Sequence, residues 1–275
     1  MQPQEIKGLD SWIIFLSQAE IPVLRQTARD LNQLSKNIEN ISARDVADVV
    51  ARDPLMTLKL LRYLQSHKHR IQEHEVVQIE QALLMLGIEA FFNKVLAKPL
   101  VEEMLRDHTG ALISVLQVVH RSHRASDYSL DWALRMRDMH FEEVRIAALL
   151  HDLAELLMWC FAPDSMLKIN LIQQQDSSLR SRVAQEQILG FSLVDLQLAL
   201  TREWVLPKLL LALIDEDQAL QPRTCGVVLA VNLARHSSKG WGDAALPDDY
   251  KDIGILLGMS QQDVMAMVGA KEVSN

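Results

Sequence analysis

At 275 residues with 49% hydrophobic side chains, the chain is long enough for one large or two modest domains and apolar enough to bury a sizeable core, which excludes wholesale disorder. A formal net charge of −8 argues against a dedicated nucleic-acid binder, which normally presents a basic face. Cys160 and Cys225 match no zinc or redox spacing and read as free thiols in a reducing cytoplasm. No basic segment followed by an apolar run opens the chain, and no apolar stretch, Leu209 to Ile214 included, comes near the ~18 residues a membrane span needs. The expectation is a cytoplasmic protein with no membrane or nucleic-acid partner.

Only ten glycines and eight prolines punctuate the chain, and several stand where helices would begin or end. Pro22 opens an expected helix through Asn37, with Val23, Thr27, Leu31 and Leu34 on one stripe. Ser42 and Asp45 form a capping-box pattern for a short helix. Asp53-Pro54 then reads as N-cap and first helical residue, because proline lacks the amide hydrogen that a first turn leaves unpaired. Leu55, Leu58, Leu61 and Leu64 give that helix a buried face, and a polar break runs from Ser66 to Glu75. Ile79 to Leu86 is another short helix with Gly87 as its C-cap. Longer helices are expected over Ile88 to Arg106, Leu112 to Met136 and Phe141 to Phe161. Pro163-Asp164, Gly190, Pro207 and Pro222 mark later boundaries, Ser237 to Asp249 is loop-like, and Ser260 with Asp263 caps a terminal helix. No segment combines strict alternation with hairpin turn residues, so the reading is all-α.

The pair His151-Asp152 closes the apolar run Ile146-Ala147-Ala148-Leu149-Leu150. Apolar spacing from Leu149 through Leu153 to Leu157 predicts that it faces inward near the middle of a long helix. An imidazole nitrogen beside a carboxylate oxygen suits Mn²⁺, Fe²⁺ or Zn²⁺, provided that further ligands arrive from other helices. The same two side chains would equally serve as a buried, hydrogen-bonded structural pair.

The order of motifs points to a family. Ile21-Pro22-Val23-Leu24, then Val49-Val50-Ala51-Arg52-Asp53-Pro54, then Leu58-Lys59-Leu60-Leu61-Arg62, then Ile79 to Gly87 resembles the HDOD family, the HD-related output domain of bacterial signalling proteins. Leu149-Leu150-His151-Asp152, Leu189-Gly190-Phe191 and Trp204-Val205-Leu206-Pro207 resemble its later signatures. The resemblance covers residues 16–235 and implies two packed helical lobes, about 16–108 and 109–235, the second like an HD-phosphohydrolase core. A C-terminal loop and helical extension would occupy 236–275. It also implies a regulatory module more than an enzyme.

Within that resemblance, a metal site would take an upstream histidine, the dyad and a later aspartate. His123 is the upstream candidate, alongside His151 and Asp152, but the last position resembles Asn232, whose carbonyl brings no charge. Active HD enzymes often continue the dyad with Ile-Gly-Lys, whereas this chain reads Leu153-Ala154-Glu155. A His-His pair common after the Trp-x-x-Pro segment is replaced by Asp215-Glu216-Asp217, read as a solvated helix end.

Two other groupings are weighed. His67, His69 and His74 read as a solvated loop, since nothing completes a ligand set. Arg121, Arg124, Arg135 and Arg137, with His120 and His123, either dock a phosphate or pair with acids such as Asp127, Asp131 and Asp138. Met85, Met104, Met136 and Met158 read as core fillers. The reading is a stand-alone regulatory module with a vestigial metal site, no expected catalysis and no required cofactor; any cofactor would be a divalent metal (Mn, Fe, Zn or Mg). Its partner would be a separate signalling protein, or a nucleotide or phosphorylated ligand. The alternative is a metal-dependent phosphohydrolase acting on a nucleotide, cyclic nucleotide or cyclic dinucleotide.

Overall fold

The computed structural model describes residues 6–67, 78–176, 178–214 and 221–270. Among them every regular element is helical, apart from one bridge between Val23 and Leu100. The helices are α1 (Leu9–Gln18), α2 (Arg25–Ser35), α3 (Ala43–Val50), α4 (Pro54–Ser66), α5 (Ile79–Leu86), α6 (Ile88–Lys94), α7 (Val101–Met104), α8 (Thr109–Arg135) and α9 (Phe141–Leu150). They continue as α10 (Leu153–Phe161), α11 (Pro163–Gln175), α12 (Ser181–Leu189), α13 (Leu193–Glu203), α14 (Lys208–Ile214), α15 (Pro222–His236), α16 (Leu246–Leu257) and α17 (Gln261–Val268). No single described helix is long and apolar enough to cross a membrane.

The chain divides into two compact units that interleave in sequence: Met1–Val119 with Asp152–Pro207, and His120–His151 with Lys208–Asn275. The lobes expected from sequence, 16–108 and 109–235, are each continuous, whereas the chain leaves the first unit within α8 and returns to it at Asp152.

In the first unit, Asp53 organises the start of the fold. Its Oδ1 accepts the Leu55 and Met56 amides at 2.9 and 3.1 Å, which caps α4, and its Oδ2 accepts the Leu24 amide at 2.8 Å. One buried side chain thus fastens two helix starts, and burial pushes its carboxyl above the ordinary value against those hydrogen bonds. Pro22 does not open a helix as expected. The chain there is extended, with the Val23 amide on the Pro99 carbonyl and the Val101 amide on the Val23 carbonyl. Helix α2 begins only at Arg25, where the Glu102 carboxylate accepts the Arg25 amide at 2.9 Å. The expected helix over Ile88 to Arg106 is likewise broken: α6 ends at Lys94 and α7 begins at Val101, with Pro99, which cannot donate a helical amide, between them. Lys59 binds both breaks to α4: its Nζ donates to the Ile21 carbonyl at 3.1 Å and to the Lys98 carbonyl. Gly87 lies at φ +85°, a conformation that supports its role between α5 and α6.

Helices α9 and α10 are apolar nearly all round and buried nearly all round, as such a pattern requires. Helix α10 packs on α4, α11 and α13 in the first unit, while α9 packs on α14 and α15 in the second. The expected loop and extension after residue 235 join the second unit's core, where Trp132, Leu233, Tyr250, Ile253 and Val264 pack together. Gly254 matters there, since a Cβ would stand 2.8 Å from the Met259 carbonyl oxygen. Of the four methionines read as core fillers, Met158 is fully buried but Met85 is 44% exposed.

Candidate functional site

The dyad occupies a break between helices and not the middle of one. Helix α9 ends at Leu150, His151 keeps helical angles (φ −60°, ψ −38°), and Asp152 turns away at φ −97°, ψ 27° as the N-cap of α10. Both side chains are buried, as the apolar spacing predicts. The break escapes a periodicity argument because α9 and α10 both bury most of their surface, so the apolar pattern runs on through the turn.

An aspartate at an N-cap ordinarily accepts an amide from the first turn of its own helix. Asp152 does not. The Ala154 amide instead donates to Gln197 Oε1 of α13 at 2.7 Å, with Gln197 buried. Gln197 is the residue that sequence reasoning missed, since it lies 43 positions from the amide that it satisfies. One turn after the dyad, Glu155 accepts a hydrogen bond from Trp159 Nε1 at 3.3 Å. The position where active HD enzymes often carry lysine is therefore a carboxylate anchored to its own helix.

His123 is half-buried on α8, and Asn232 is half-buried on α15. Helix α15 packs against α9, so the elements carrying Asn232 and His151 are neighbours within the second unit. Among the described residues, no group of three His, Cys, Asp or Glu side chains is disposed to hold a metal ion. With an asparagine at the last position, the described donor set does not fit a tightly held divalent cation.

The other groupings separate into structural roles. Arg124 donates to the Tyr128 hydroxyl at 2.7 Å and to the Ser237 carbonyl at 3.3 Å, and its guanidinium lies 5.6 Å from the Trp241 ring. Arg135 pairs with Asp131 one turn earlier at 2.7 Å. Asp138 does not pair with either of these arginines: it holds Arg223 of α15. His67 stacks on Tyr63 with centroids 4.0 Å apart, while His69, His74 and the run Asp215 to Asp217 lie outside the described residues.

The helical fold has counterparts among known proteins. The model of the HDOD domain matches residues 21–220. The chain belongs to the HDOD family. The matched segment takes in the Asp53-Pro54 cap, the dyad and the Trp204 to Pro207 motif, and it stops short of Asn232. Among solved structures, the HDOD chain is similar to the MmoQ response regulator of Methylococcus capsulatus str. Bath (TM-score 0.67, 17% identity, 92% of this chain and 98% of that one). It is also similar to a virulence factor of Campylobacter jejuni subsp. jejuni (TM-score 0.67, 18% identity, 96% and 93%). An HDOD domain protein of unknown function from Geobacter sulfurreducens aligns with TM-score 0.50 and 16% identity over 95% of each chain. At these identities the likeness is one of fold. No curated protein matches the chain.

Proposed function

We propose that this HDOD chain is a regulatory module that acts by binding a separate signalling protein, or a nucleotide-like or phosphorylated ligand, and not by turnover. His123, His151 and Asp152 are then a vestigial metal site. The observation that carries this reading is Glu155, a carboxylate fixed by Trp159 one turn after the dyad. A phosphate approaching the dyad would meet negative charge where a lysine would attract it. Asn232 supports the same reading, because removing one anionic ligand weakens the grip that hydroxide generation needs.

The competing reading, a metal-dependent phosphohydrolase, is favoured by one observation: the Asp152 carboxylate is not spent on capping α10. The two are separated by assaying the purified chain on cyclic nucleotides and cyclic dinucleotides with Mn²⁺, Fe²⁺, Zn²⁺ or Mg²⁺. The expected outcome is no turnover above that of the His151→Ala variant, and no change in melting temperature on adding chelator. Metal-dependent turnover that disappears in His151→Ala would overturn the proposal. Chelator-sensitive melting without turnover would remove the word vestigial and leave a metal-bound regulator.

A further inference from the structure

We infer that the groove along α2 in the first unit is a docking site for an acidic amphipathic helix of a partner protein. This deepens the binding role proposed above and rests on it. Residues Arg25, Ala28, Arg29, Asn32 and Ser35 recur at three- and four-residue spacing, so they form one stripe of α2. Thr27 is buried away from the groove, and Leu31, also buried, lies at the edge of the groove lining. The stripe forms one wall of a groove of about 1180 Å³, and α6 with the Leu96–Leu100 segment forms the other.

The floor is apolar and the rim is basic. Half-buried Phe92 and Leu100 and the 55% exposed Leu96 present the apolar surface, with Phe91 and Val95 buried beneath it. Arg25, Arg29 and Lys98 face it against a single acid, Glu103. Among the described residues none of these three cations takes part in an ion pair. A concentration of unpaired positive charge around Leu96 and the half-buried Phe92 is notable in a chain of net charge −8.

Size and charge decide the occupant. Small-molecule pockets run to ~300–1,000 Å³ and enclose their ligand, whereas this groove is larger and follows the eleven residues of α2, a span of about 15 Å. That length suits about three turns of helix laid against α2, with apolar anchors at i, i+3 or i+4 and i+7 on the floor and acids toward the rim. A polyphosphate or anionic membrane surface would use the cations but leave the apolar surface of Phe92 and Leu96 unmatched and meet Glu103. The α2 N-terminus offers no competing anion site, because its first amide is taken by Glu102.

The test is a selection of a helix-biased 14-residue display library on the full chain, followed by fluorescence anisotropy with the enriched peptides. Each is also run against Arg29→Glu and Leu96→Glu; both positions are exposed, so folding is checked simply by melting temperature. The expected result is enrichment of acidic peptides with the stated apolar spacing, weakened about tenfold or more by either variant. Replacing the peptide acids with lysine should abolish binding to the wild type and restore part of it to Arg29→Glu. Enrichment of neutral or basic peptides, no enrichment, or binding indifferent to both variants would overturn the inference. So would Arg29-dependent binding of phosphatidylglycerol vesicles or oligonucleotides that outcompetes the peptides. Phosphohydrolase turnover would sink the regulatory reading while leaving groove binding to stand or fall on these measurements.

Discussion

Two aspartates of the first unit hold the same formal position, the N-cap of a helix, and are used in opposite ways. Asp53 places three backbone amides on its two oxygens and joins the start of α2 to the start of α4. Asp152 caps nothing, and a glutamine from another helix serves the α10 amide in its place. The contrast separates a carboxylate that caps the helix it precedes from one that leaves its helix start to another side chain.

The largest effect should come from Asp53. Truncating it to alanine removes a helix cap and strands the buried Leu24 amide, together costing roughly 2–4 kcal/mol. Asparagine is no remedy, because the amine of its amide must face either the Leu24 amide or the α4 amides, donor against donor. Urea unfolding of Asp53→Ala and Asp53→Asn measures both, and a loss under 1 kcal/mol in either would dissolve the contrast.

Next comes Gln197→Leu, which leaves the Ala154 amide buried without its acceptor. The expected cost is about 1–3 kcal/mol by the same measurement. A near-zero cost would mean that Asp152 swings to cap α10 once the glutamine is gone. The two aspartates would then differ in circumstance more than in kind.

A third aspartate sets the pH scale. Burial works to raise Asp138, but the His140 amide and the Arg223 guanidinium outweigh it and hold its carboxyl below the ordinary 3.8. A depressed folded value means that its stabilisation is present above pH 3.8 and is lost as pH falls through the lowered value. Asp53, raised by burial, contributes with the other sign: its share is fully present below 3.8 and is lost as pH climbs through the raised value. Acid titration of Asp138→Asn beside wild type should show a gap of up to about 1 kcal/mol near neutrality that closes below pH 3.8. A gap that widens in acid would reverse the assignment.

How much of this was legible in the sequence follows from the range of each interaction. The Asp53-Pro54 cap and the Ser42/Asp45 and Ser260/Asp263 caps are local chemistry over two or three residues, and all three are present. The Leu24 arm of Asp53 spans 29 residues and left no local sign. Pro99 was a usable signal inside the long helix expected over Ile88 to Arg106, since a mid-helix proline costs an amide and adds a clash. Pro22 misled for the converse reason: a proline suits both a helix start and an extended edge, and the pairing of Val23 with the Pro99 segment decided between them. At the dyad, neither glycine nor proline marks the break, so residue identities were readable and their geometry was not.

The smallest effect is expected at Asp152→Asn. The substitution keeps size and a carbonyl acceptor, removes one charge, and disturbs no capping bond of α10. Stability should change by less than about 1 kcal/mol, against the larger loss for the same substitution at Asp53. The comparison has force because both positions are buried N-caps and both substitutions are isosteric, while only Asp53 accepts amides of the helix that follows it. A metal held in solution would spoil the near-neutrality, since asparagine brings no charge to a cation and its loss would lower the melting temperature in the manner of a chelator. Melting Asp152→Asn and wild type with and without chelator distinguishes the cases. Four superimposable curves are the expected result. A wild-type curve that chelator moves onto that of the variant would restore Asp152 as a working ligand.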